Sequence, residues 1–143
     1  MDQKEIIDFA NANPVAWIGT VDGDQPRVRG FAMWYADETG FYFHTGATKD
    51  ICRQLRANPK VELCFYDPGD GQGAGRQLRV EGTVEFLDDP ALRERLYQDR
   101  PWVQSIVGEN DALLAIFRLA HGAAWFWTMA VNMHEREQER VRF

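Results

Sequence analysis

The stretch RQLRVEGTVEFL, Arg76 to Leu87, alternates with a period of two that only an extended chain can use. Leu78, Val80, Val84 and Phe86 fall on one face; Gln77, Arg79, Glu81, Thr83 and Glu85 fall on the other. Wound into a helix, Leu78 and Phe86 would fall well away from Val80 and Val84, and the apolar set would be split. The stretch therefore reads as a half-buried strand. Val61 to Tyr66 repeats the pattern, with Val61, Leu63 and Phe65 inward. Between the two lies GDGQGAG, Gly69 to Gly75, which matches a relaxed dinucleotide fingerprint, G-x-G-x-x-A. That fingerprint must open a helix, and here a strand follows, so the stretch reads as a hairpin loop.

The remaining segments follow the same logic. Asp2 and Glu5 suit an N-terminal cap for a helix carrying Ile6, Ile7 and Ala10, which Asn13-Pro14 ends. Val15 to Val21 is a buried strand and Asp22 to Pro26 a turn. Arg27 to Ala36 is the next strand, with Arg27, Arg29, Phe31, Met33 and Tyr35 on one face. After a turn at Asp37 to Gly40 come a strand, Phe41 to Thr45, and a helix, Thr48 to Ala57, stopped by Asn58-Pro59. Asp89-Pro90 opens a helix that runs to about Gln98, and Pro101 closes it. Ala112 to Leu119 and Ala123 to Val131 read as two closing strands, and the tail HEREQERVRF as a solvated edge strand or short helix. Short turns join most strand pairs, which favours antiparallel pairing. The expected fold is mainly β: one antiparallel barrel with peripheral helices, spanning residues 1–143.

Charge and composition remove several functions. A net charge of -6 argues against nucleic acid, whose phosphates need a basic field. No apolar run approaches a membrane span, and MDQKEIIDF is too polar for a signal peptide. Cys52 and Cys64 share no metal-type spacing and read as reduced thiols of a cytoplasmic protein. His44, His121 and His134 are scattered, so no metal site is expected, and no nucleophilic triad is visible. Five tryptophans exceed the needs of a small core and point to an aromatic pocket or a subunit interface.

The positive signal is FHTGATKDI, Phe43 to Ile51. A strand runs into a small-residue turn and a helix N-terminus, where free N–H groups and the helix dipole favour an anion. Lys49, Arg53 and Arg56 share one helix face, and Arg27 and Arg29 one strand face, so two basic groups flank the turn. The same helical stripe also suits ordinary solvated charges.

Four segments in order, VDGDQPRVRGF (Val21 to Phe31), FHTGATKD (Phe43 to Asp50), ANPKVEL (Ala57 to Leu63) and RQLRVEGTVEF (Arg76 to Phe86), carry a resemblance. The chain resembles the pyridoxamine 5′-phosphate oxidase-like family, FMN-binding split β-barrels, and in particular its short single-domain members. The resemblance implies a Greek-key-like six-stranded barrel and a homodimer with FMN at the subunit interface. It implies that Arg27, Val28, Arg29 and Gly30 line the cofactor and that Thr45, Thr48 and Lys49 hold its phosphate. Gln77 matches a glutamine that contacts the flavin, and Trp102, Trp125 and Trp127 are candidate pocket walls or, equally, core or interface residues. Thr48 stands where the oxidase proper has an arginine, and His134-Glu135-Arg136 only faintly echoes its substrate-gripping end. The implied activity is therefore a flavin-dependent oxidoreductase, passing hydride or electrons between a reduced nicotinamide or deazaflavin and a small organic acceptor. The alternative is a non-catalytic flavin- or haem-binding protein for sensing or storage.

Overall fold

The computed structural model describes residues 1–143. Its strands are β1 (Val15–Asp22), β2 (Gln25–Ala32), β3 (Tyr35–Asp37), β4 (Gly40–Gly46), β5 (Lys60–Asp67), β6 (Arg76–Phe86), β7 (Leu114–Thr128) and β8 (Val141–Arg142). The helices are α1 (Gln3–Ala12), α2 (Asp50–Ala57), α3 (Pro90–Asp99) and α4 (Pro101–Val107). All strands join one antiparallel sheet in the order β2-β1-β5-β6-β7-β4-β3, with β8 added to β7. Six strands are long; β3 and β8 are extensions of three and two residues.

The sheet curls until its ends face each other. Phe31 on β2 meets Phe43 on β4 and Phe117 on β7 edge-on, at ring separations of 6.2 and 6.1 Å. Phe41 reaches Phe65 across the interior at 5.8 Å. Yet β2 and β4 exchange no ladder bonds, so side chains close the barrel where the backbone leaves it split. The alternation of β6 is realised as expected: Leu78, Val80 and Val84 are buried, and Glu81, Thr83 and Glu85 are exposed. Asp2 caps α1 by accepting from the Glu5 N–H at 2.9 Å, and Asp89 caps α3 by accepting from Ala91 at 3.0 Å. Gly69 to Gly75 is a loop between β5 and β6, with Gly69, Gly71 and Gly73 all at positive φ.

Several boundaries differ from the sequence reading. The expected strand Arg27 to Ala36 breaks at Met33-Trp34, because the chain there leaves its ladder with β1 and joins that of β4: Met33 N–H bonds Pro14 and Trp34 N–H bonds Tyr42. The two closing strands are one 15-residue strand, β7. His121-Gly122 does not turn the chain. A bulge skips Ala120, and Gly122 lies directly opposite Gly82. Finally, Pro101 does not close the helical segment but starts α4 as its first residue, where its missing N–H costs nothing.

The C-terminal segment folds back as a short 3₁₀ turn, Glu135–Glu137, and then β8. Glu135 accepts from the indole of Trp125 at 2.9 Å and from Arg79 at 3.2 Å, and Arg140 stacks on Trp125 at 3.6 Å. Glu135 and Arg140 therefore cover the outer face at Trp125, while β8 lies beside β7 in the sheet and turns Val141 and Phe143 to the core.

Candidate functional site

The split in the barrel is a cleft. Its volume is about 820 Å³, within the range of small-molecule sites. One wall is Arg29 to Ala32 of β2, and the facing wall is His44 to Gly46 of β4. β3 pairs with β4 only as far as Tyr42, so this part of β4 has β7 on one side and the cleft on the other. The turn into α2 (Thr48, Lys49, Asp50) forms the floor, and Trp102, Val103, Ile106 and Val107 of α4 form an apolar lip.

At the floor, α2 starts without a side-chain cap; its N-cap residue is Lys49. The helix begins at Asp50, two residues later than expected. Three cations, Arg29, Lys49 and Arg100, line the cleft against one carboxylate, Asp50. In a chain of net charge -6 this is a local inversion of sign. Thr45, 6% exposed, has a hydroxyl with no hydrogen-bond partner within the protein. A buried hydroxyl left unpaired costs free energy that a ligand oxygen would recover. These features fit a phosphate-bearing ligand, and the apolar lip fits a planar ring.

The structure sorts the residues singled out from sequence into distinct places. Arg29, Gly30, Thr45, Thr48, Lys49 and Trp102 meet in the cleft. Arg27 does not line it; it pairs with Asp22, which also takes Arg53 at 3.1 Å. Arg56 stacks on Phe86 at 4.0 Å. The anticipated basic stripe is thereby dispersed, leaving Lys49 without a carboxylate. Val28, Gln77, Trp125 and Trp127 lie outside the cleft, on the outer face of the sheet. The register shows it: Val28 is two residues from Gly30, which pairs with Trp17; Trp17 pairs with Cys64, Cys64 with Arg79 and Arg79 with Trp125. Gln77 pairs with Trp127 and accepts from the Cys64 thiol at 3.7 Å.

Sequence reasoning did not find His44 and Arg100. Arg100 donates to the His44 Nε2 at 2.8 Å and to the Met33 and Ala32 carbonyls at 2.9 and 3.3 Å, satisfying the carbonyls freed where β2 breaks. Because a guanidinium only donates, His44 carries its proton on Nδ1. Burial, then the nearby charges of Arg100 and Lys49, hold the imidazole down at about 4. The tandem spacing of Trp102/Ile106 and Val103/Val107 behind Pro101 was the available signal for α4.

A pH dependence follows. Above pH 6.5, His44 is neutral folded or unfolded. Between 6.5 and about 4 the unfolded chain takes a proton that the folded one refuses, so stability falls as pH falls through that window. Allowing for solvent screening, the loss is about 2 kcal/mol. Urea melts at pH 7.5 and 4.5 should show it in the wild-type chain and not in His44→Asn. An NMR titration midpoint for His44 near 6.5 would contradict it.

Comparison with known proteins agrees with this architecture. The family model "Pyridoxamine 5′-phosphate oxidase" matches residues 2–127. The chain belongs to that family. It is 38% identical over 76 residues to the pyridoxine/pyridoxamine 5′-phosphate oxidase of Anaeromyxobacter dehalogenans, covering 53% of this chain and 36% of that protein. It is 36% identical over 90 residues to the Brucella canis enzyme, covering 62% and 41%. The chain thus spans about two fifths of the length of these curated relatives. Among solved structures it is similar to a NimC/NimA family protein from Clostridium acetobutylicum, with TM-score 0.75, 24% identity and coverage of 98% and 92%. It also resembles a FAD-binding protein from Mesorhizobium loti (TM-score 0.67, 21%, coverage 84% and 89%). A third neighbour is the heme storage protein HutZ of Vibrio cholerae (TM-score 0.66, 15%, coverage 90% and 95%). At such identities the solved structures speak to fold alone. No helix of the chain is long and apolar enough to cross a membrane.

Proposed function

We propose that the cleft binds FMN and that the protein is a flavin-dependent oxidoreductase acting between a reduced nicotinamide or deazaflavin and a small organic acceptor. One observation carries the reading: unneutralised Lys49 and Arg29 share a cleft with the unpartnered Thr45 hydroxyl and an apolar lip. A phosphate monoester brings about two negative charges and three acceptor oxygens, which suit Lys49, Arg29, Thr45 and Thr48. Trp102, Ile106 and Leu113, exposed by 55, 76 and 41%, offer apolar cover to a ring. Bound flavin supplies hydride or electron transfer itself, so the protein's tasks are to hold, orient and shield it. His44, neutral and with its Nε2 taken by Arg100, lines the same cleft.

The same reading includes a homodimer. Val15, Trp17, Val28 and Tyr66 are exposed by 56, 51, 69 and 47% on β1, β2 and β5. Such an apolar sheet face suits a second copy of the chain. Gln77 and Trp127 share the outer face of this sheet, so a partner's outer face brought to the cleft would unite them with residues that one chain keeps apart from them, whereas Trp125 is buried beneath Glu135 and Arg140.

Titration with FMN, followed by quenching of flavin fluorescence, tests the proposal. Saturable binding is expected, with light scattering giving twice the 16.5 kDa chain mass. Protein that leaves FMN fluorescence unquenched at millimolar concentration would remove the flavin reading. FMN bound to a monomer would remove the dimer.

A further inference from the structure

Arg29 is gripped by neutral oxygens, where several other arginines of this chain are gripped by carboxylates. Its Nη1 donates to the Thr20 hydroxyl at 2.7 Å and to the Ile18 carbonyl at 3.3 Å. Its Nη2 donates to the Gln54 side-chain oxygen at 2.5 Å. Thr20 in turn donates to the same Gln54 oxygen at 2.6 Å, closing the set. Thr20 and Gln54 are 2 and 3% exposed, and neither lines the cleft that Arg29 lines.

The two oxygens engage the guanidinium fork as a carboxylate would, but bring no charge. Elsewhere the chain uses acids: Arg53 and Arg27 take Asp22, Arg79 takes Glu62 and Glu135, and Arg118 takes Glu85. An acid at position 54 would orient Arg29 equally well and cancel it. Burying a threonine hydroxyl and a glutamine amide is costly unless they are paired, and their pairing here runs through each other and through Arg29. Three of the five guanidinium N–H donors are used by these bonds, which leaves two.

We propose that Gln54 and Thr20 are positioning residues: they aim the Arg29 guanidinium into the cleft with its charge uncancelled, pre-oriented for the phosphate of a flavin nucleotide. The inference rests on the flavin reading above and deepens it, assigning a role to two side chains behind the cleft wall. Rigid orientation of a cation before binding raises affinity by lowering the ordering cost.

Dissociation constants for FMN and for riboflavin, which lacks the phosphate, test it. Thr20→Val, an isosteric loss of the hydroxyl, should weaken FMN about tenfold and leave riboflavin within about twofold. Thr20→Ser should restore FMN binding to within about twofold of wild type. Gln54→Glu, which neutralises Arg29, should weaken FMN about 30-fold without lowering the melting temperature. In an Arg29→Ala background Thr20→Val should add nothing, whereas a merely structural role would cost the same in both backgrounds. Wild-type FMN binding with both variants within twofold, equal losses for FMN and riboflavin, or a Thr20→Val loss that persists without Arg29 would each overturn this inference alone. Wild-type protein that binds neither flavin overturns the flavin reading and this inference with it. Should Gln54→Glu fail to fold, the Thr20 pair decides.

Discussion

Reversing the charge at position 49 is expected to weaken FMN binding about 100-fold. Lys49 is exposed at the cleft floor, makes no ion pair, and precedes a helix whose first N–H groups have no side-chain cap. A charge-assisted hydrogen bond to phosphate contributes about 1.5–3 kcal/mol, and replacing the ammonium by a carboxylate adds repulsion to the loss. At 1.4 kcal/mol per decade this gives roughly two decades in the dissociation constant. Flavin fluorescence titrations of wild type and Lys49→Glu should show it. Riboflavin affinity should change little, and the difference should shrink as salt is raised. Equal FMN affinities for the two proteins would place the phosphate elsewhere. Lys49 is the sharpest probe because its neighbours are already spoken for: Arg27 and Arg53 share Asp22, and Arg56 lies over Phe86.

The largest effect on stability is expected at Gly122. A Cβ there would stand 2.0 Å from the Glu81 carbonyl oxygen, and one at the facing Gly82 would stand 2.4 Å from the His121 carbonyl oxygen. Both obstacles are backbone atoms in the middle of a ladder, next to the bulge at Thr83/Val84, and cannot step aside as a side-chain tip could. Gly122→Ala should lower unfolding free energy by about 3 kcal/mol in urea melts. Gly19→Ala is the control: its Cβ would find the Glu62 and Arg27 carbonyl oxygens at 3.5 and 3.9 Å, ordinary contact. That change should stay within about 1 kcal/mol of wild type. A loss at Gly122 no larger than at Gly19 would mean that β6 and β7 are not pressed together there.

The two glycines also show what a local pattern can mislead about. His121-Gly122 looks like the end of one strand and the start of another because glycine is the commonest turn residue. Here glycine serves the opposite end, letting two strands approach more closely than side chains allow, and only the partner strand reveals that. The break at Met33-Trp34 was hidden for a related reason. Alternation continues through it, and the change is one of partner, from Pro14 to Tyr42, with Arg100 covering the freed carbonyls.

Periodicity and turn chemistry, which are local properties, determined that this chain is an antiparallel β-structure with helices capped at Asp2 and Asp89, and the run of small residues before Lys49 marked the turn that floors the cleft. Those features depend on neighbours within a few positions, so they survive in the sequence as patterns. Which cations stay free is a different kind of fact. Arg27 and Arg29 are indistinguishable by spacing, yet one is neutralised by Asp22 and the other is propped by Thr20 and Gln54 against no charge at all. His44 and Arg100 meet across 56 positions of sequence, and Trp102 reaches the cleft only because α4 packs beside the split. Electrostatic compensation and burial depend on distances through space, and those distances are set only once the sheet has curled upon itself.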